Sequence, residues 1–547
     1  MSEGKKMNSM AQNEAISFGM FLSVLLVLII RIPLTNMIGD IGNSYYSVTF
    51  ELYEIFNLFF IVCMPFVISK MVEIRIRKNQ FRNANRVFRA AFLFAITCGL
   101  ISSLIVFSIS KVWAGSIMLE PLGLLSVKIM APSIFVMALT GVYRGYFQGL
   151  GAIKPTMFSR IIGGLFYGVL ALVFTLVLVT YGRKVAALIL NTNYGSAYGV
   201  TGIALAVTIS GIISLVFMVF IYRLYKPRYE KQILRDRTTI HEPNGQIMNI
   251  FMSMIFPQFF LCLIFPLMKL LDQSIFNRIM IQKSLEDIRT LYYGTYYGKY
   301  DILISIPIAA ITALALLILP KIREKAEENN LALLRDRVSI IIKYTWIFLI
   351  PFCAVFIVLN STICDALYTS EIILAARFLR TGAVTVLLFG TAIVTCCILN
   401  SLKAIKFALI NTYVALVIHI VALVIILKNT DSTIESILYA NILFGIVLSL
   451  LNFLLIHKRL RYRQELVRSL LLPVLSGAVA GLLMLGINQL LLNISNVVIS
   501  AIITPFIGLI LYFVFIFALK VVSEKELRRL PGHTFYIKVS KKLHLLP

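Results

Sequence analysis

The chain has 547 residues, of which 59% are hydrophobic and only 14% charged. That is more apolar side chain than one soluble core can bury, so the composition excludes an ordinary soluble domain and indicates a polytopic membrane protein. The formal charge of +26 does not imply nucleic acid, because the Lys and Arg collect in short segments between apolar runs, as membrane topology requires.

Fourteen apolar stretches of about twenty residues or a little more are predicted to cross a bilayer as helices. The first six are 15–37, 46–69, 90–112, 125–149, 156–181 and 198–222. Residues 16–30 have the length of a signal-peptide core, but no small-residue cleavage site follows and Arg31-Ile-Pro33 runs on into more apolar sequence. The segment is therefore expected to be the first retained helix. The next six spans are 247–271, 300–320, 338–359, 378–401, 404–427 and 433–456, and two more follow at 470–492 and 497–519. Of the seven Cys, none pairs with another at metal-ligand spacing, and small apolar packing is their expected role. His419 is the one histidine in mid-span, where a hydrogen-bonded structural role is expected.

Spans four and five meet at a turn carrying Gly149, Gly151 and Pro155, with Arg144, Lys154 and Arg160 around it. This hairpin has an echo about 252 residues later, where Leu402-Lys-Ala-Ile-Lys406 lies over Leu150-Gly-Ala-Ile-Lys154. Pro65 pairs similarly with Pro320, and Arg86-Val87 with Arg337-Val338. Agreement at three places predicts a duplicated six-helix unit. The expected organisation is an amino-terminal lobe over 1–235, a carboxy-terminal lobe over 236–463, two unpaired helices within 464–519 and a basic tail, 520–547.

Segments after the even-numbered spans are rich in Lys and Arg, whereas 39–43 and 493–496 contain none. The positive-inside rule places both termini in the cytoplasm. The basic loops also suit anionic lipid headgroups. No phosphate loop of the Walker type is present, and no outer connection exceeds about thirty residues. A transporter working by alternating access is expected rather than an enzyme.

Specific motifs then carry a resemblance. Arg31-Ile-Pro-Leu-Thr-Asn-Met-Ile-Gly-Asp-Ile-Gly-Asn-Ser-Tyr-Tyr-Ser47, Met64-Pro-Phe-Val-Ile-Ser-Lys-Met-Val72 and Tyr143-Arg-Gly-Tyr-Phe-Gln-Gly149 followed by Lys154-Pro-Thr156 resemble the stage V sporulation protein B branch of the polysaccharide exporters. Leu271-Asp272, Leu291-Tyr-Tyr-Gly294, Ile306-Pro307 and the tail Glu524-Lys-Glu-Leu527 through Pro531 extend the resemblance over nearly the whole chain. That branch shares a superfamily with the lipid II flippases, the O-antigen unit flippases and the multidrug and toxic compound extrusion pumps. The resemblance implies an all-α fold of two six-helix lobes around a central cavity, with the last two helices beside a groove for lipid tails. It also implies a place in the plasma membrane of a bacterial cell and a saccharide cargo on undecaprenyl pyrophosphate, moved to the outer leaflet for peptidoglycan or a related wall polymer. No cofactor is implied, and Na⁺, H⁺ or the membrane potential could reset the carrier. Fourteen spans make a monomer sufficient.

A pyrophosphate cannot cross hydrocarbon unpaired, so cations must line its path. Arg31 lies within the first span and matches an arginine of the branch; the alternative is an interfacial side chain freed by a kink at Pro33. Arg144 and Arg160 flank the signature turn, as cavity ligands or as cytoplasmic-edge anchors. Glu51 and Glu54 fall within one helical turn and would serve sugar hydroxyls or a coupling cation. Asp272 would do the same unless it pairs with Lys269 three residues earlier. Asn57, Gln148 and Gln258 could hydrogen-bond a sugar or join neighbouring helices.

The chain also departs from the branch. Where Ser-Gln and then a Glu-Gln pair are expected in the fifth span it has Ser159-Arg160 and Gly163-Gly164. Glu54 replaces a commoner amide, and Phe66 a small residue. Two other functions stay open at the level of sequence. A cation-coupled drug exporter would favour an acidic cavity, and a membrane glycosyltransferase or polymerase would need an acidic outer site, for which Asp365 and Glu371 are the obvious pair.

Overall fold

The computed structural model describes residues 2–236, 238, 242–327, 331–431 and 433–522. All regular structure among them is helical. Thirteen stretches are long and apolar enough to span a membrane, and the first of these, Leu26–Arg77, is 52 residues long and holds two of the expected spans. The fourteen-helix architecture is therefore present. The resemblance drawn from the tail at 524–531 lies outside the described residues.

Packing groups the described residues up to 298 into one compact unit and those from 299 onward into another. The first contains α1 (Ser2–Asn57), α2 (Met64–Arg77), α3 (Phe81–Val112), α4 (Leu124–Gly149), α5 (Ile153–Ile189), α6 (Tyr194–Leu234), α7 (Asn244–Cys262), α8 (Ile264–Gln282) and α9 (Glu286–Thr295). The second contains α10 (Asp301–Glu327), α11 (Leu331–Val358), α12 (Asn360–Leu367), α13 (Ile372–Gly382), α14 (Val384–Ser401), α15 (Ile405–Asn429), α16 (Ile434–Leu460), α17 (Leu472–Ile494) and α18 (Val497–Ala518).

Helix α1 is two helices joined at Gly39, whose φ of 72° and ψ of 176° belong to a region that only glycine enters cheaply. A straight helix would hold Arg31 and Tyr46 about 22 Å apart. The Arg31 guanidinium instead lies 3.4 Å from the centre of the Tyr46 ring, so the two arms run side by side. The second arm continues through a π-helical turn, Leu58–Cys63, into α2.

Three glycines spaced by four bring α4 against this path. A methyl group at Gly141 would stand 2.0 Å from the Phe60 carbonyl oxygen, one at Gly145 2.9 Å from the Pro65 Cα, and one at Gly149 2.6 Å from the Val72 Cβ. With no hydrophobic force between helices in lipid, such close approach is what gains dispersion contact.

The expected hairpin follows. Gly151 has φ 76°, and the Ala152 N–H donates to the Phe147 carbonyl at 3.0 Å. Its echo keeps the same register: Lys403 has φ 58°, and the Ala404 N–H donates to the Leu399 carbonyl at 2.9 Å. Two turns with the same bonds at the same sequence offset are the physical form of the internal repeat.

Two expected spans are corrected. The seventh is not continuous over 247–271: α7 stops at Cys262 and α8 starts at Ile264. Pro266 in the first turn of α8 has no N–H to offer the Cys262 carbonyl, and the bond ladder is interrupted at Leu263. The eighth starts well before 300, with α9 running through a π-helical turn, Tyr296–Tyr300, into α10. The connection before α14 is also helical, built from α12 and α13.

Two polar clasps fix α7 to α9 within the first unit. Between α6 and α7, Glu242 is paired with Arg75 of α2, Arg86 donates to the Glu242 carbonyl at 3.0 Å, and the Arg82 N–H donates to Asp236 at 2.7 Å. At the turn between α3 and α4, Asn277 and Ser274 of α8 donate to the carbonyls of Met118 and Ile117 at 2.7 and 3.1 Å. Arg289 of α9 pairs with Glu120 at 2.9 Å, and Thr290 and Ser44 donate to the same carboxylate at 2.8 and 3.3 Å. Burial raises the Glu120 carboxyl above the usual carboxylate range, against the opposing pull of Arg289, Thr290 and Ser44.

In the second unit the last two helices dock through polar contacts. Tyr512 donates to the Ile347 carbonyl at 3.0 Å, Asn488 to Thr362 at 3.0 Å and Ser500 to Asn488 at 2.8 Å. His419 is buried in α15 with its ring 6.0 Å from that of Phe444.

Gly141→Ala should cost about 1–3 kcal/mol through forced separation of α4 from the π-turn. Gly115→Ala, where a methyl group meets nothing within 4 Å, should leave the melting temperature of the purified protein unchanged. Glu120→Ala strands Arg289, whose side chain is 12% exposed, and should cost about 3–5 kcal/mol in chemical denaturation.

Candidate functional site

All nine candidate residues lie in the first unit. The break at Gly39 assembles the first group. It turns Asn43 and Tyr46 of the second arm back onto Arg31 of the first, where the Arg31 Nη2 donates to Asn43 Oδ1 at 2.7 Å. Thr35 donates to the same oxygen at 3.3 Å, and Asn43 Nδ2 to the Gly39 carbonyl at 2.8 Å. Arg31 is only 4% exposed, and its Nη1 has no hydrogen-bond partner among the described residues. This is a pinned cation with one donor nitrogen unsatisfied among the described residues, which a free interfacial side chain would not be. Tyr46 interacts in turn with Tyr167 of α5 and with the charge of Glu54, which is exposed.

The second group lies near the signature turn. Arg144 is buried and donates from Nε and Nη2 to Ser159 Oγ at 3.3 and 3.0 Å, and from Nη2 to Ser214 Oγ at 2.9 Å. Arg160 is half-buried, with Nη2 3.4 Å from the Ile61 carbonyl of the π-turn. The charges of Arg144 and Arg160 act on each other, and Tyr53 couples electrostatically to Arg144 and to Tyr46. Tyr53 thus lies in the fields of both groups.

A third group is acidic. Glu51 is fully buried and accepts from the Tyr293 hydroxyl at 2.9 Å. Asp272 of α8 is also buried, and Tyr293 lies in the fields of both carboxylates. Glu51 and Glu54, one helical turn apart, therefore face different surroundings. Gln258 is turned onto its own helix, donating to Cys262 Sγ at 3.5 Å. Asn57 and Gln148 are half-buried at the ends of α1 and α4. Asp365 and Glu371 are both exposed.

Asn43, Tyr46, Tyr53, Tyr167 and Tyr293 are participants that residue type alone does not single out. For the first two the available signal is Gly39, since a glycine between two apolar runs permits a reversal and so places residues 12 and 15 positions after Arg31 against it.

Comparison with known proteins bears on this arrangement. Over 479 residues the chain is 21% identical to the lipid II flippase MurJ of Bacillus subtilis (strain 168), covering 84% of this chain and 85% of that protein. An inward-facing multidrug resistance MATE family transporter of the MOP superfamily superposes with a TM-score of 0.66 at 16% identity, over 82% of this chain and 98% of the other. A lipid II flippase MurJ in an inward closed conformation gives 0.63 at 15% identity, over 91% and 97%. At such identities these two structures establish the fold alone. Residues 12–324 match the family model for polysaccharide biosynthesis protein. That match spans more than half of the sequence and includes all three groups of side chains: the chain is a member of the polysaccharide biosynthesis protein family.

Proposed function

We propose that this multi-pass membrane protein is a flippase. It turns a saccharide linked to undecaprenyl pyrophosphate, lipid II or a related wall unit, from the cytoplasmic to the outer leaflet by alternating access. The observation that carries the reading is Arg31, a guanidinium held within a membrane span with Nη1 lacking a hydrogen-bond partner among the described residues. Burying an uncompensated cation costs several kcal/mol, and an incoming diphosphate offsets that cost with short, charge-assisted hydrogen bonds. A carrier of amphipathic cations gains nothing from such a group. The acidic group around Tyr293 suits sugar hydroxyls or a coupling cation.

In this reading both termini are cytoplasmic, a monomer carries out the cycle, and Na⁺, H⁺ or the membrane potential resets the empty carrier. A potential of 100 mV supplies about 2.3 kcal/mol for each elementary charge moved, enough to bias a two-state carrier.

The test is outer-leaflet exposure of lipid II in bacterial cells depleted of their own flippase. The intact protein should restore exposure, and Arg31→Ala should lower it at least tenfold at equal membrane abundance. If neither version restores exposure although both reach the membrane, lipid II is not the cargo. Drug efflux unaffected by Arg31→Ala would then favour the exporter.

A further inference from the structure

The Arg144–Arg160 pair has a charge problem that Arg31 does not solve. Both of the hydroxyls that hold Arg144 are neutral, and they are occupied with each other: Ser159 Oγ and Ser214 Oγ are 2.7 Å apart, and Ser214 donates to the Ser159 carbonyl at 3.0 Å. Arg160 Nε is buried without a hydrogen-bond partner among the described residues. Arg144 lies in the fields of Arg160 and Tyr53, and among the described residues no carboxylate pairs with either guanidinium. Two like charges in each other's field repel, and burial multiplies the cost.

There is also room beside them. A Cβ at Gly163 would meet only Ser214, with Cβ and Oγ both at 3.5 Å, an ordinary contact. The position next to the hydroxyl that holds Arg144 is thus filled by no side chain of its own. Depth separates this pair from the first cation. Arg144 lies about 7 Å along the helix axis from the Gly149 end of α4, and Arg160 about 10 Å from the start of α5. Arg31 lies about 12 Å from the Gly39 turn, and that turn joins the opposite ends of the spans.

We propose that Arg144, Arg160, Ser159 and Ser214 form a second binding station, for a phosphate or pyrophosphate group, near the α4–α5 turn and apart from Arg31. A tetrahedral dianion supplies the missing charge and can accept from both guanidinium forks. The station rests on the flippase reading only for the source of the phosphate, which that reading assigns to the lipid-linked cargo. A cargo arriving from the α4–α5 end meets this pair first and Arg31 second.

The test uses the purified full-length chain in phosphatidylcholine nanodiscs, with inorganic pyrophosphate as the probe. Arg31→Ala should still bind it. In that background Arg160→Gln should weaken binding about 10- to 100-fold, the loss expected for hydrogen bonds to a charged group. Gly163→Glu, which brings a carboxylate to Arg144, should bind at least tenfold more weakly than Gly163→Gln, which fills the same space without charge. Loss of all binding in Arg31→Ala alone, or equal binding by the Glu and Gln variants, overturns the station. Repeating the titration in phosphatidylglycerol nanodiscs identifies the source. Competition by the lipid that Gly163→Glu removes assigns the station to headgroups, and absence of competition assigns it to the cargo. These readouts are separate from lipid II exposure, so failure of the flippase reading would leave them unchanged.

Discussion

The contact of Arg31 with Asn43 and Tyr46 is the junction on which the amino-terminal unit is built. A guanidinium within a membrane span must be satisfied by the protein or by a ligand. Here the protein satisfies it partly: one nitrogen donates to Asn43 at 2.7 Å, the planar face stacks 3.4 Å from the Tyr46 ring, and Nη1 is left over. The arrangement requires the two arms of α1 to run side by side, which in turn requires the left-handed backbone at Gly39. Charge, aromatic face and glycine are one device.

The same accounting explains the rest of the first unit. Its polar side chains at membrane depth are held largely by backbone carbonyls and by one another, as with Ser103 on the Ala131 carbonyl at 2.9 Å and Thr208 on the Ile129 carbonyl at 3.1 Å. Where irregular backbone occurs, it is used. The π-turn at Leu58–Cys63 offers the Ile61 carbonyl to Arg160 and the Phe60 carbonyl to the close pass of Gly141. The clasp of α8 and α9 on the α3–α4 turn follows the same rule, with Arg278 and Arg289 donating to the carbonyls of Ser116 and Leu119.

Much of this was legible in the sequence, for physical reasons that differ by feature. Spans are visible because lipid demands about twenty apolar residues from each helix, and the repeat is visible because both hairpins need the same turn. The break before Pro266 was legible in principle, since proline cannot continue the bond to Cys262, yet hydropathy runs smoothly across it and hides it. The partners of Arg31 were hidden for another reason. Residues 12 and 15 positions away touch it only because of a dihedral angle at Gly39, and no periodicity records that angle. Tyr293 brings Glu51 and Asp272 into one field from 242 residues along the chain, a pairing that no local pattern encodes.

Glycine carries two opposite meanings in this protein, and the difference separates structure from function. At Gly141, Gly145 and Gly149 the missing side chain is replaced at once by a neighbouring helix, with contacts of 2.0 to 2.9 Å awaiting any added carbon. These positions gain packing and exclude everything else. At Gly163 the nearest atoms stand at 3.5 Å, and both belong to the serine that holds a buried arginine. Helix packing does not explain a glycine there, because an alanine would fit and would favour the helix by about 1 kcal/mol. Room beside an uncompensated charge is instead the form that a site for an anion takes when the anion is not part of the chain.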